Sequence, residues 1–399
     1  MNSISDSELK ALIKNNYLKF FERIASDEEI EYHFNQIKTK NISLNELDSI
    51  FQNSQEYNDL MEHKNKIQDI SDEFEEIISN IDNPHDHPYS SSDEPNSILV
   101  SCFSETTKNG GVFILKDNSL KKLYDENACY GLFYDKKNSL LFCITRTMPQ
   151  IVAFKTDNKN FRQLKISFSN YIFGEDAHGC CVLDNKIYLV ATEGEQNGQK
   201  AEDIVGPGKD HVGKIIVSEI VFTGDDIIIQ NSKIFNPFDC KHHHHINDLN
   251  MLNDVIHLSS HTYCDKNKTF IKKGAISKLN SSLQAVVVNA KTVHPHSVCF
   301  FNDRLYVCSS GLASIFSIDT LNNSTQLEYK GTNAYIRGLL VTKLYFYFGM
   351  SITKSRSESK FYNLESGILQ FNRKTGEVKQ IKIPNIYDSV YAIVSVNLF

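Results

Sequence analysis

One short unit recurs through residues 97–399: a polar or aromatic residue, a small residue, an apolar strand, a turn and a second apolar strand. The copies are "YGLFYDKKNSLLFCITR" from Tyr130, "HGCCVLDNKIYLVATE" from His178, "NDLNMLNDVIHLSSH" from Asn247, "HSVCFFNDRLYVCSS" from His296, "RGLLVTKLYFYFGMS" from Arg337 and the closing "YAIVSVNLF" from Tyr391. Their spacings run from 41 to 69 residues, the length of a four-stranded propeller blade plus insertions. The two ends complete each other. The segment from Ser97 holds three strands with no opening strand of this type, and the C-terminus ends in one opening strand with no blade after it. A last strand that joins the first blade removes the free sheet edges of an open ring. The sequence therefore predicts a mainly β fold, a six-bladed β-propeller closed by its C-terminal strand, over an open solenoid or a sandwich.

A different texture precedes it. From Ser5 to about Asn80 apolar residues recur at helical spacing, as in Leu9, Leu12, Ile13, Tyr17, Leu18, Phe20 and Phe21, and again in Ile67, Ile70, Phe74, Ile77 and Ile78. Ser43 and Glu46 form a capping-box pattern. Residues 81–96, "IDNPHDHPYSSSDEPN", read as a linker in which His85 and His87 are solvated. The expected organisation is a small α-helical domain over 1–80, a linker over 81–96 and the propeller over 97–399.

Charge follows the same division. Residues 1–96 hold 21 acidic and 8 basic side chains, a balance of −13, and the remainder holds 28 and 34, a balance of +6. The positive excess suits an anionic ligand, but it lacks the dense basic stripe of a nucleic-acid surface. No apolar run has the length of a membrane span and the N-terminus has no signal-peptide pattern, so a soluble cytoplasmic chain without membrane or nucleic-acid partners is expected. The nine cysteines contain no CxxC pair. Cys102, Cys143, Cys181, Cys299 and Cys308 sit in strand-like runs and read as reduced core thiols.

In a propeller the innermost strands all begin at one face of the central channel, so equivalent starts converge on the axis. The converging tier is Tyr130, His178, Asn247, His296, Arg337 and Tyr391, each followed by a short residue (Gly131, Gly179, Asp248, Ser297, Gly338, Ala392). Two residues earlier the alignment gives Ala128, Asp176, His245, His294, Tyr335 and Ser389, which share a face with the tier. Second strands return to the same face and bring Arg146, Glu193, His261, Ser309 and Ser351 to the rim. Three long polar loops follow, with Gly206, Gly208, Lys354 and Arg356 suited to a lid that meets an anion.

From these positions come the candidate roles. His178, His245 and His296 come from three blades and, as neutral imidazoles with an open position, would suit Zn²⁺, Mn²⁺ or Fe²⁺; each alone would equally be a hydrogen-bonded channel residue. Arg337 can grip a carboxylate or phosphate bidentately, or pair with Asp176 or Asp388. Tyr130 and Tyr391 are proton donors or channel packing. Arg146, Glu193, Asn247, His261, Arg337 and Arg356 are the candidate substrate contacts. The run "KHHHHIND" (241–248) is not a four-histidine site, because neighbours on an extended chain point to opposite faces. His245 faces the axis, while His242 and His243 decorate the rim. His257 reads as a satisfied interior histidine, and His211 as a loop residue. No GxSxG, Walker loop, HExxH or dinucleotide fingerprint occurs, so serine hydrolase, nucleotide hydrolase and dehydrogenase readings have no support.

Two resemblances add to this. The stretch "NNYLKFFERIASDEEIEYHFNQIKTKNISLNELDSIFQNSQEY" resembles a short helical domain distantly like phycobilisome linker modules, often fused to bacterial glycan-modifying enzymes. "HHINDLNML", "HPHSVCFFNDRLYVCSSG" and "YIRGLLVTKLYFYFGMS" resemble an uncharacterised bacterial β-propeller family with H-x-N-D, P-H-S and R-G-L signatures, falling here on His245, Asn247, Asp248, His296, Ser297, Arg337 and Gly338. That resemblance implies a polysaccharide or glycoconjugate setting. More remotely the chain is similar to metal-using propeller lyases. The expectation is a metal-dependent enzyme acting on an acidic sugar or other small anion by elimination or epimerisation. In that scheme His178, His245 and His296 hold the metal, Arg337 orients the carboxylate, and Tyr130 or Tyr391 moves the proton. The competing expectation is a non-catalytic glycan- or anion-binding propeller whose acidic helices dock a protein partner.

Overall fold

The computed structural model describes residues 5–58 and 95–396 apart from short gaps, the longest of which are 21–24, 146–149, 196–212, 239–244, 265–269 and 352–365. Two compact units result, one within Met1–Asn83 and one within residues 84–399. The linker expected over 81–96 lies outside the described residues except for Pro95, as do Ile67 to Ile78.

In the first unit, helices Asp6–Asn16, Asp27–Lys40 and Leu44–Gln52 bury one core of Leu9, Ile13, Tyr17, Phe20, Ile30, Ile37 and Phe51. The second helix opens on a reciprocal capping box. Ser26 Oγ accepts the Glu29 N–H at 3.2 Å, and the Glu29 carboxylate accepts the Ser26 N–H at 2.8 Å. Ser43, expected to cap the third helix, lies outside the described residues.

The second unit is a six-bladed β-propeller. Its inner strands are Ser389–Val396, Cys129–Asp135, Cys180–Leu183, Ile246–Leu252, Pro295–Phe301 and Tyr335–Val341, for blades 1 to 6 in order. Blade 1 is closed as expected: Ser389–Val396 pairs antiparallel with Ser97–Phe103. Blade 3 departs from the four-strand pattern. A fifth strand, Ile166–Ser169, runs parallel to Asp226–Phe235 and covers that blade's outer edge.

Local chemistry fixes the hairpins. In Asp184–Asn185, Asn253–Asp254 and Asn302–Asp303 both residues have positive φ, between 48° and 62°, the two-residue turn whose twist matches antiparallel strands. Cores lie between consecutive blades. Leu140, Phe142, Ile187 and Leu189 meet between blades 2 and 3, and Val100, Ile368, Val390 and Ile393 between blades 6 and 1. Side-chain bridges tie neighbouring inner strands: Ser101 Oγ, from the second strand of blade 1, accepts the Ala392 N–H (2.9 Å) and donates to the Tyr130 carbonyl (2.5 Å), Ser297 Oγ accepts the Gly338 N–H (2.6 Å), and Asn250 Nδ2 donates to the Val298 carbonyl (2.8 Å).

The described cysteines 102, 129, 143, 180, 181, 299 and 308 are buried and form no disulfide, as expected of core thiols. Among the described residues no helix is long and apolar enough to cross a membrane.

Candidate functional site

The repeat's small residues mark a structural device. Pairing of the first and second strands shifts register between Cys129 and Leu132, Ile246 and Asp248, His296 and Cys299, and Arg337 and Leu339, and the closing strand does the same around Tyr391. A β-bulge thus sits at the tier in five of the blades, where it re-aims side chains toward the lumen. The small residues let the strands crowd there. A Cβ on Gly131 would lie 2.4 Å from the His178 carbonyl oxygen, and one on Gly179 would lie 2.4 Å from Asp248 Oδ1.

Three tier residues form one group. The Tyr391 hydroxyl lies 2.5 Å from His178 Nδ1, the two rings are parallel within 4°, and the Tyr130 ring lies 4.7 Å from that of Tyr391. Phe103 closes the group edge-on to Tyr130 at 4.8 Å. His245 joins it, with its ring 4.8 Å from that of His178.

His296 stands apart from them. Its Nδ1 is 2.9 Å from the His294 carbonyl and 3.0 Å from Ser310 Oγ, and Ser310 Oγ is 2.5 Å from the Ile336 carbonyl. One proton assignment satisfies all three contacts: Ser310 donates to Ile336, and the His296 Nδ1–H is shared between the two oxygens. His294 is held at φ 47°, a left-handed conformation rare for a residue with a side chain, and its ring packs 3.7 Å from that of His261.

These positions bear on the metal. His178 and His245 meet, and the contacts at His178 Nδ1 and His296 Nδ1 would leave Nε2 as the ligating nitrogen of each, so the grouping of donors decides the fit. Among the described residues no three His, Cys, Asp or Glu are grouped to hold an ion. The described donors, two grouped imidazoles, do not make up the set expected for Mn²⁺, Zn²⁺ or Fe²⁺, and no step below passes through an ion.

Arg337 is the outstanding charge. Only 2% exposed, it lies between two rings, its Cζ 4.8 Å from Tyr335 and 5.2 Å from Tyr391. Its Nε is buried without a hydrogen-bonding partner, and no carboxylate pairs with it among the described residues. Asp388, one of its expected partners, instead accepts from Ser104 Oγ at 3.2 Å. Stacking on tyrosine faces offsets part of the cost of burying a guanidinium, by about 2 kcal/mol per desolvated contact.

Other expected residues fall elsewhere. Asn247 spends its amide on the Pro295 carbonyl at 2.7 Å, an inter-blade tie. His257 is an interior histidine as expected, with Nδ1 3.1 Å from the Val255 carbonyl, and burial lowers its proton affinity. Glu193 opens the short strand Glu193–Glu195, and its side chain is outside the description. Arg146, Arg356, Asp176, Gly206, Gly208, His85, His87, His211, His242, His243 and Lys354 also lie outside the described residues.

The sequence reading missed the space. A cavity of about 450 Å³ opens at the other end of the channel, walled by inner strands of blades 1, 2, 4, 5 and 6. Asp248, Ser297, Gly338 and Ala392, the small residues directly after the tier, line it. Asp248 accepts hydrogen bonds from the backbone N–H groups of Leu249 and Val298, and burial raises its carboxyl from an ordinary 3.8 to about 7. A usable signal was present, since Asp248 is the one acid among the six short residues.

A β-propeller with a charged central channel is therefore the class that fold and site define. No family model matches the chain. No curated protein matches it either. Solved structures of similar fold include a nidogen/laminin complex (TM-score 0.48, 9% identity, covering 74% of this chain and 97% of that one). Others are a protein of unknown function from Bacteroides caccae (0.46, 9%, 75% and 98%) and a periplasmic gluconolactonase from Pseudomonas aeruginosa (0.41, 8%, 72% and 82%). At such identities the likeness extends to fold alone.

Proposed function

We propose that the channel binds a small carboxylate, of which an acidic sugar is the kind implied by the sequence resemblance, and that Arg337 is its grip. One observation carries this reading: a guanidinium 2% exposed, without a carboxylate among the described residues, at the point where the bulges aim side chains inward. An unpaired buried charge costs several kcal/mol, and a bidentate carboxylate would offset that cost. Tyr391 and His178 stand beside it and can pass a proton between the phenol oxygen and Nδ1. Such a pair next to a held carboxylate suits proton transfer at the adjacent carbon, the step shared by epimerisation and elimination.

Calorimetric titration with D-glucuronate and with uncharged D-glucose tests the grip. Glucuronate should bind and glucose should not, and Arg337→Gln should weaken glucuronate about 30-fold or more, as loss of a charge-assisted bidentate contact implies. Equal binding of the two sugars, unaffected by the substitution, defeats the reading. Exchange of the proton beside the carboxylate in D₂O, followed by NMR, separates an enzyme from a binding module. Exchange that disappears in Tyr391→Phe supports catalysis, and binding without exchange supports the non-catalytic alternative.

A further inference from the structure

Arg337 is not the only uncompensated charge in the lumen. Asp248 lies on blade 4, two blades away from Arg337 on blade 6; it lines the cavity, and Arg337 directly precedes Gly338, which also lines it. The carboxyl of Asp248 is bounded by Gly179 of blade 3, its own following N–H and the N–H of Val298 on blade 5. The titratable groups facing it are the thiols Cys180 and Cys181 of blade 3 and Cys299 and Cys308 of blade 5, all pushed upward by burial and neutral near pH 7. No cation faces it among the described residues. Lys136, the basic residue of the cavity wall, is solvent-exposed.

Three other polar side chains of this cavity are already in use. Asn250 donates to Val298 and accepts from the Met251 N–H, Ser297 accepts from Gly338, and Thr342 is bonded to Tyr345. Asp248 is thus the carboxylate that the cavity offers a ligand, in a space of about 450 Å³, within the range of small-molecule sites.

A buried cation and a half-buried carboxyl on neighbouring stretches of the inner strands, neither facing a counter-charge among the described residues, are both matched by one kind of molecule. We infer that the ligand is a zwitterion, an amino acid or amino sugar acid, whose carboxylate meets Arg337 and whose ammonium group meets Asp248 from the cavity. This rests on the carboxylate-binding reading of Arg337 and adds the second charge and the chamber that holds the ligand's body. Ionised Asp248 is required, so the ammonium contributes above pH about 7 and ceases to contribute as Asp248 protonates below it.

Matched pairs of probes that differ only in the ammonium group test the inference: butanoate against 4-aminobutanoate and hexanoate against 6-aminohexanoate, titrated calorimetrically at pH 8.5 and 5.5 (about 1.5 units either side of the carboxyl). At the higher pH at least one amino acid should bind about tenfold or more tightly than its alkanoate. The advantage should vanish at the lower pH and in Asp248→Asn, whose amide oxygen can still accept the two N–H groups. Alkanoate binding that is lost in Arg337→Gln, with no gain from the ammonium at either pH, overturns the zwitterion and leaves the carboxylate reading standing. Failure of every probe to bind, with Arg337→Gln indistinguishable from wild type, overturns both. A gain that survives in Asp248→Asn overturns the role of Asp248.

Discussion

Two sets of polar groups in the channel, a satisfied level and a charged one, solve the problem of buried polarity in opposite ways. In the first, the Tyr391 hydroxyl and His178 Nδ1 satisfy each other at 2.5 Å, and His296 Nδ1 is held by a carbonyl and a serine. Arg337, buried, and Asp248, half-buried, have no counter-charge among the described residues. Satisfied polar pairs hold the blades in register, whereas uncompensated charges store unfavourable energy that a ligand can relieve. Residues of the same tier, alike in the repeat, therefore divide into those that hold the blades together and those that wait for a ligand.

Both levels depend on the close approach of the inner strands, so the largest expected effect comes from blocking it. In Gly131→Val the added Cβ would meet the His178 carbonyl oxygen at 2.4 Å and Gly179 Cα at 2.7 Å, both backbone atoms that cannot swing aside. Loss of about 3 kcal/mol or more is expected in chemical denaturation. An unchanged midpoint would mean that blades 2 and 3 do not meet there, and the comparison of levels would lose its geometric basis.

Removing an uncompensated charge should do the reverse. Arg337→Met keeps much of the length and apolar contact with Tyr335 and Tyr391 but deletes the charge, and should raise stability by about 1–3 kcal/mol while abolishing carboxylate binding. A fall in stability would show that the guanidinium is paired after all.

Asp248 makes the same point through pH. Its folded-state value of about 7 stands above the ordinary 3.8, so between these values the native state keeps a proton that the unfolded chain has released. Stability from this group is complete below the lower value and is lost as pH rises through the higher one, with a slope of up to about 1.4 kcal/mol per pH unit. Melting of wild type and Asp248→Asn across this window should show the variant gaining relative to wild type as pH rises and levelling off above 7. Parallel curves would place the carboxyl in water.

For the satisfied pair the sign changes again. Tyr391→Phe deletes the hydroxyl and leaves His178 Nδ1 without that partner, which should destabilise the protein by about 1–2 kcal/mol. Stabilisation of both Arg337→Met and Tyr391→Phe would erase the distinction between the two levels.

Much of this architecture was legible in the sequence. Blade number, closure by the last strand and the members of the tier follow from a repeat whose apolar strands are joined by Asn and Asp turns. The bulges were not legible, because a two-against-one pairing is a property of both strands, and Gly131 or Gly338 alone only marks crowding. The capping box at Ser26 and Glu29 carried a readable pattern, whereas the extra strand Ile166–Ser169 did not, since its partner Asp226–Phe235 lies beyond a long insertion. The cavity was invisible for a further reason: it lies against the ends of the inner strands opposite to those at which the conspicuous histidines gather. Asp248 is one of six short residues, and its charge distinguishes it from the other five.

The smallest effect is expected from removing metal. His178 and His245 supply two imidazoles whose rings lie 4.8 Å apart, yet no third donor joins them among the described residues. Two neutral imidazoles without a further ligand make a poor site for a divalent ion, which takes three or more protein donors at a catalytic centre. Dialysis against a chelator should therefore change carboxylate affinity by less than about twofold, a difference small beside the roughly 30-fold loss expected for Arg337→Gln. Loss of affinity on chelation, restored by Mn²⁺, Zn²⁺ or Fe²⁺ in wild type but not in His245→Ala, would return the histidines to a ligand set. The first level would then carry an uncompensated demand of its own, and the contrast between a satisfied level and a charged one would have to be redrawn around the ion.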